Sequence, residues 1–301
     1  MKYLINLTIL LSLPLSAKVV FHGNIDEAIS EKVSNILTNV KAHYKEQILI
    51  PRQTHVTNKS YVSTMYDAKT DTLNIASYDK APIVHELGHQ VFDQILEKEI
   101  DLWRYFKVRN SIRYRDINQE LKKEITSLKK WKIASTSRPS EYAKEKIKEL
   151  TAQVKKLQRI QALDKRYKKI VDSSNIFKRV TPYQELFADA LAINYFNEWD
   201  IVYRSALEVT GNPVESEHRK FPLTNPLNYV FSDPYSYFGP FKSFLRNQYK
   251  SPRDFSIPCI TKTLIKNIEN DLLSEKSVGN QEVNYNLEKD YTNCLYLEVV
   301  L

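Results

Sequence analysis

Two histidines four residues apart, with a glutamate directly after the first, make up the stretch His85-Glu86-Leu87-Gly88-His89. On a helix, residues at this spacing lie one above the other, so both imidazoles can reach a single ion. Glu86 then stands beside that ion, placed to hydrogen-bond a water rather than to ligate. Two imidazoles plus a carboxylate suit zinc, which keeps a fourth position open and acidifies the water held there. The third ligand sets the subclass. The longer pattern HExxHxxGxxH needs glycine and histidine at positions where this chain has Phe92 and Ile95, which excludes it. A glutamate on a later helix is the alternative. The run Thr181-Pro182-Tyr183-Gln184-Glu185-Leu186-Phe187-Ala188-Asp189 supplies one among apolar neighbours. Two acids in such a run are costly to bury unless a metal or a partner compensates them. Four residues apart they share a face, so Glu185 is expected to ligate and Asp189 to accept a hydrogen bond from a ligand imidazole.

The expected centre is one zinc per chain on His85, His89 and Glu185, with Glu86 as the general base. It would hydrolyse a peptide bond with a zinc-activated water. Negative charge developing on the carbonyl oxygen needs a donor. His218, Arg219, Tyr235 and Tyr237 all follow the Glu185 helix. With 19 Tyr and only 6 His in the chain, His218 is the residue selected for that role. His22, His43 and His55 lack ligand-like neighbours and read as ordinary surface or core residues.

These residues need elements to hold them. Val19–Phe21 reads as a short strand, and Ile29, Val33, Ile36, Leu37, Val40 and Tyr44 share one face of a helix over 26–44. Ile48–Ile50, Tyr61–Tyr66 and Thr72–Ser77 read as strands, the last two joined by a turn at 67–71. Asp79 is a natural cap and Pro82 a first-turn residue for the helix carrying His85 and His89. From 112 to 175 the chain becomes highly charged, with apolar residues at heptad-like steps. Thr136–Ser140 interrupts it, which predicts two antiparallel helices of roughly 45 Å packed as a hairpin. Helical spacing returns at 181–196, 241–249 and 260–273, whereas the polar stretch 274–289 reads as a loop.

Composition sets the outer limits. With 301 residues, 42% of them hydrophobic, the chain can bury a substantial core. Only 5 Gly are present, and neither GxGxxG nor GxxxxGK[ST] occurs, which removes the phosphate-cradling enzymes. Lys2, the apolar run from Tyr3 to Leu13, Pro14 and the small pair Ser16-Ala17 read as a signal peptide over 1–17. The protein is therefore expected to be exported, periplasmic or extracellular, with no membrane span after cleavage. In such a compartment Cys259 and Cys294 are expected to form one disulfide. The net charge of +8 suits an anionic surface or acidic partner, met through the 112–175 hairpin. Nucleic acid is not expected, because the hairpin lysines alternate with Glu and stacking aromatics are sparse there.

The pair of motifs HELGH and ELFAD resembles the gluzincin metallopeptidases in their compact soluble forms, over about 61–106 and 181–196. The resemblance implies zinc, peptide-bond hydrolysis of protein or peptide substrates, and an endopeptidase rather than an exopeptidase. It also implies a substrate strand laid along the edge strand before the active helix, here Leu73, Asn74, Ile75 and Ala76. The fold it implies is a helix-rich α+β class. A zincin-like lobe over 18–111, with a small mixed sheet and the active-site helix, would be joined by the hairpin insertion at 112–175 to a helical lower lobe over 176–301. Glu185 follows His89 by 96 positions, more than a minimal member needs. A competing reading is an exported binding protein that uses the basic hairpin and keeps only a structural or vestigial metal site. Retention of Glu86, which binding zinc does not require, favours catalysis.

Overall fold

The computed structural model describes residues 18–23, 25–58, 63–76, 79–111, 116–173, 175–222, 233–274 and 280–300. The expected signal peptide lies outside the described residues, as do positions 61–62 of the strand expected at 61–66. Strand β1 (Lys18–His22) leads into helix α1 (Glu27–Tyr44), followed by β2 (Gln53–Thr57), β3 (Met65–Asp67) and β4 (Thr72–Asn74). These form one mixed sheet in the order β1-β2-β4-β3. β1, β2 and β4 run parallel and β3 antiparallel to β4, with Tyr66 opposite Leu73. The class is α+β and helix-rich, as expected.

Two sequence expectations fail here. The strand placed at Ile48–Ile50 begins instead beyond Pro51, at Gln53. Ile48 and Ile50 pack against the core without entering the ladder, while Thr54 and Val56 alternate inward from β2. The second concerns Leu73, Asn74, Ile75 and Ala76, taken as the edge. β4 is flanked on both sides, by β2 and β3, and Leu73, Asn74 and Ile75 are buried. The turn at 67–71 folds β3 back onto the open side of β4, so β3 is the outer strand.

Helix α2 (Lys80–Glu99) follows, capped by the Asp79 side chain accepting from the Ala81 N–H. α3 (Asp101–Ser111) turns the chain into the arm, α4 (Ile117–Ser137) and α5 (Glu141–Ser173), with the Ser140 hydroxyl capping α5 at the Ala143 N–H. The arms are 21 and 33 residues, unequal where equal lengths were expected. α6 (Ile176–Phe196) starts a turn earlier than its apolar periodicity indicates and absorbs Pro182, at the loss of one backbone hydrogen bond. α7 (Ile201–Thr210), α8 (Pro213–Glu217), α9 (Gly239–Gln248), α10 (Ile257–Leu273) and α11 (Asn280–Val300) complete the chain. α11 replaces most of the loop expected at 274–289. Val283, Leu287 and Tyr291, four apart, are its buried stripe. The Cys259–Cys294 disulfide ties α11 to α10. Among the described residues no helix is long and apolar enough to cross a membrane.

The contact that matters for the site is α2 on α6. A Cβ on Gly88 would stand 2.7 Å from the Cα of Ala188, so only glycine lets the two backbones come this close. One turn on, Phe92 and Phe187 stack with ring centroids 4.6 Å apart. The two motif-bearing helices are thus held at one fixed separation.

Candidate metal centre

At that separation α2 and α6 bring three ligand atoms together. His85 Nε2 lies 3.1 Å from His89 Nε2 and 3.3 Å from Glu185 Oε2, and His89 Nε2 lies 3.4 Å from the same oxygen. Tetrahedral zinc with bonds of about 2.0–2.2 Å requires its ligands roughly 3.3–3.5 Å apart. The donor set and its spacing therefore fit the ion expected from the sequence. Glu86 stands just outside the triangle, 4.0 Å from His85 Nε2 at its nearest oxygen, and with His85 and His89 forms a group that could hold a metal ion.

The triangle has supports on three sides. Asp189 Oδ1 approaches His85 Nδ1 at 3.1 Å, close enough to favour an Nδ1–H tautomer and leave Nε2 for a metal. The approach is an ion-pair contact, not an aligned hydrogen bond. Asp189 is itself fully buried and receives the Lys242 ammonium at 2.8 Å. Burial would raise its carboxyl. Lys242 first, then His85 and Arg219, outweigh burial and hold it well below the ordinary range. Burial likewise acts to raise Glu185, and the two imidazoles, His89 foremost, keep it ionised. For His85, burial and the Arg219 charge pull downward, yet Asp189 and Glu185 prevail and raise it to about 9.

Arg219 is the cation nearest the centre. One guanidinium nitrogen is 3.1 Å from His85 Nε2, 3.4 Å from Glu185 Oε2 and 3.2 Å from Asp189 Oδ1. Its plane rests 3.7 Å from the centre of the Tyr235 ring. The donor cluster already draws positive charge to itself, which is the electrostatic demand a divalent ion would meet. His218, selected for oxyanion stabilisation, is placed differently: its Nδ1 pairs with Asp233, and no described contact takes it to the donor triangle. In the turn after α8 successive side chains diverge, and it is Arg219 that faces the centre. Of the other two residues considered, Tyr235 follows Arg219 to the site and Tyr237 packs edge-on against Phe238.

The centre opens into a cavity of about 650 Å³. It is lined by the outer strand, at Met65 and Tyr66, and by the apolar side chains of Phe177, Val202 and Val209. The Tyr66 backbone N–H donates to Glu86 Oε2 at 2.7 Å, so this strand also fixes the base. Sequence reasoning passed over two functional neighbours. The Tyr66 donor is main chain and leaves no mark in residue identity. Lys242 did leave one, as a lone cation between Phe241 and Leu245 on the apolar face of α9. No protein-family profile, curated protein or solved structure matches this chain.

Proposed function

We propose that the chain is an exported zinc-dependent peptidase of the gluzincin type, cleaving internal peptide bonds. The observation that carries this reading is the donor triangle of His85, His89 and Glu185 with Glu86 held beside it by the outer strand. A zinc ion on those three residues would supply a Lewis acid and acidify water. Everything else is work for the chain's own groups. Glu86 takes a proton from the attacking water and delivers it to the leaving amine nitrogen. The Tyr66 N–H keeps that carboxylate aimed while it is ionised. Arg219, braced on Tyr235, supplies positive charge for the oxygen of the scissile carbonyl as it becomes an anion. β3, the outer strand along the cavity, offers the backbone on which an extended peptide can lie. The apolar wall at Phe177, Val202 and Val209 favours a substrate with a hydrophobic side chain next to the cut.

Metal analysis with peptide hydrolysis by wild type and Glu86→Gln tests the reading. Expected are about one zinc per chain in both proteins and loss of nearly all turnover in the variant, since only the proton carrier is removed. Folded wild type without zinc, or a variant with full turnover, defeats it. Export is part of the proposal, and the disulfide between α10 and α11 supports it, since such bonds persist in oxidising compartments.

A further inference from the structure

The outer half of the α4–α5 arm takes no part in the metal centre. Its inner half is anchored, with Ile160, Leu163, Tyr167 and Ile170 of α5 packed into the main core. Outward from there the two helices hold each other through a separate small cluster of Leu121, Val154 and Leu157, with Ile125 and Leu128 against it. At 1.5 Å per residue, the stretch from Ile160 back to Glu141 projects about 28 Å from the body.

Charge is concentrated on this projection. Residues 117–157 hold 11 Lys and Arg against 5 Asp and Glu, most of the chain's net +8. Lys123, Lys144 and Lys146 are neutralised by neighbouring glutamates. Lys129, Lys130, Lys132 and Arg138 have no ion pair among the described residues. Beside them, next to the polar turn Arg138-Pro139-Ser140, stand exposed apolar side chains. Ile133 is 70% exposed and Tyr142 66% exposed, and Trp131 meets the Tyr142 ring edge-on at 5.7 Å. The seam between the helices runs from Leu121 through Ile125 to Leu128, and its next steps fall on Lys132 and Ser135. Trp131 and Ile133 therefore lie off the seam and do not close the arm.

We propose that this end of the arm docks the protein on an anionic lipid bilayer. Trp131, Ile133 and Tyr142 enter the boundary between headgroups and acyl chains, and Lys129, Lys130, Lys132 and Arg138 meet the anionic headgroups. Size favours lipid over a folded acidic partner. Two helix ends of about 10–12 Å diameter offer a footprint on the order of 250 Å², against roughly 800 Å² per partner in a specific protein interface. A bilayer needs no shape complementarity, and it takes apolar and cationic groups together.

Co-sedimentation of the full chain with vesicles tests the inference, using phosphatidylcholine alone and a one-to-three mixture of phosphatidylserine and phosphatidylcholine. Binding is expected only to the mixture, weakening about tenfold or more from low to high salt. Tryptophan emission should shift blue on binding, and Trp131→Phe should abolish the shift. Each basic side chain is worth roughly fivefold in binding, so Lys129→Ser/Lys130→Ser/Lys132→Ser should weaken it on the order of a hundredfold. Ile133→Ser/Tyr142→Ser should leave binding that high salt removes completely. These positions are exposed or half-buried, and unchanged circular-dichroism melts verify the variants' fold. The inference falls if wild type ignores the mixed vesicles, or if the triple variant binds like wild type. It also falls if polyglutamate or duplex DNA binds as tightly without a spectral shift, because charge alone would then explain the tip.

Discussion

Tyr66 holds Glu86 with its backbone and is itself held by its side chain. Its N–H donates to the Glu86 carboxylate at 2.7 Å, while its hydroxyl sits 3.0 Å from both Asp71 and Asp93. The second contact ties β3 to α2, the helix bearing both histidines, and so fixes where the first can form. Asp93 is further secured by the Trp103 indole N–H at 2.9 Å and by the Lys107 ammonium. The proposed base is thus oriented by a main-chain donor whose position depends on the phenol of the same residue.

Tyr66→Phe keeps the backbone donor and removes its anchor. Zinc content should be unchanged, because no ligand is touched. Turnover should fall about tenfold with little change in KM, and stability should drop by about 1–3 kcal/mol as Asp71 and Asp93 lose a partner. A purely structural tyrosine would lower stability and leave kcat alone. Steady-state kinetics beside thermal melts separate the two.

Gly88→Ala should damage metal binding without altering a ligand. The new methyl would sit 2.7 Å from the Ala188 Cα, a backbone atom that cannot rotate away. α2 and α6 must part, which separates both histidines from Glu185. Zinc affinity should fall at least tenfold and stability by about 1–3 kcal/mol. Ala188→Gly should not rescue it, since the clash is with Cα. Competition with a chelator gives the affinity, and unaltered zinc binding in Gly88→Ala would show that the helix spacing is not what sets the triangle.

The candidate ligands were legible because the helical repeat of four needs no tertiary information: His85 with His89, and Glu185 with Asp189, declare a shared face. What lay beyond reach depends on elements meeting. That β4 is interior follows from β3 folding back over it, which a strand's own residues do not encode. The helix over 280–300 escaped because its buried stripe, Val283, Leu287 and Tyr291, is only one residue wide in a polar stretch. Arg219 and His218 are adjacent, and only the turn after α8 decides which faces the metal site. Lys41 and Lys242 were readable in principle, each a single cation on an otherwise apolar helix stripe.

The disulfide between Cys259 and Cys294 closes a loop of 35 residues between α10 and α11. In the chain-entropy account such a loop contributes about 4 kcal/mol by restricting the unfolded chain. Cys259→Ser/Cys294→Ser should therefore melt well below wild type in oxidising buffer. The two should converge when wild type is reduced. Free thiols in native exported protein would contradict the link.

Lys41 carries the last prediction. Its side chain lies on the buried face of α1 between Leu37 and Tyr44, only 2% exposed, and its ammonium has no hydrogen-bond partner among the described residues. Burial lowers its pKa from 10.5 to about 8, and the Asp71 charge opposes this only in part. A lysine depressed on folding binds its proton more weakly in the native than in the unfolded state. Below pH 8 both states are charged, and the fold bears the whole penalty, roughly 3 kcal/mol. Between pH 8 and 10.5 the native lysine is neutral while the unfolded one still holds its proton, so stability climbs across that window. Lys41→Met should thus be more stable than wild type at pH 7, by up to about 3 kcal/mol, and the gap should narrow as pH rises through 8 to 10. Buried Tyr44 and Tyr66, whose hydroxyls burial raises far above 10, add an opposite slope above pH 10 in both proteins. The comparison therefore belongs below that point. Denaturant melts of both proteins at pH 7, 8, 9 and 10 measure the gap. A constant difference would mean that folding leaves the Lys41 pKa unshifted. A destabilised variant would mean that its ammonium has a stabilising partner.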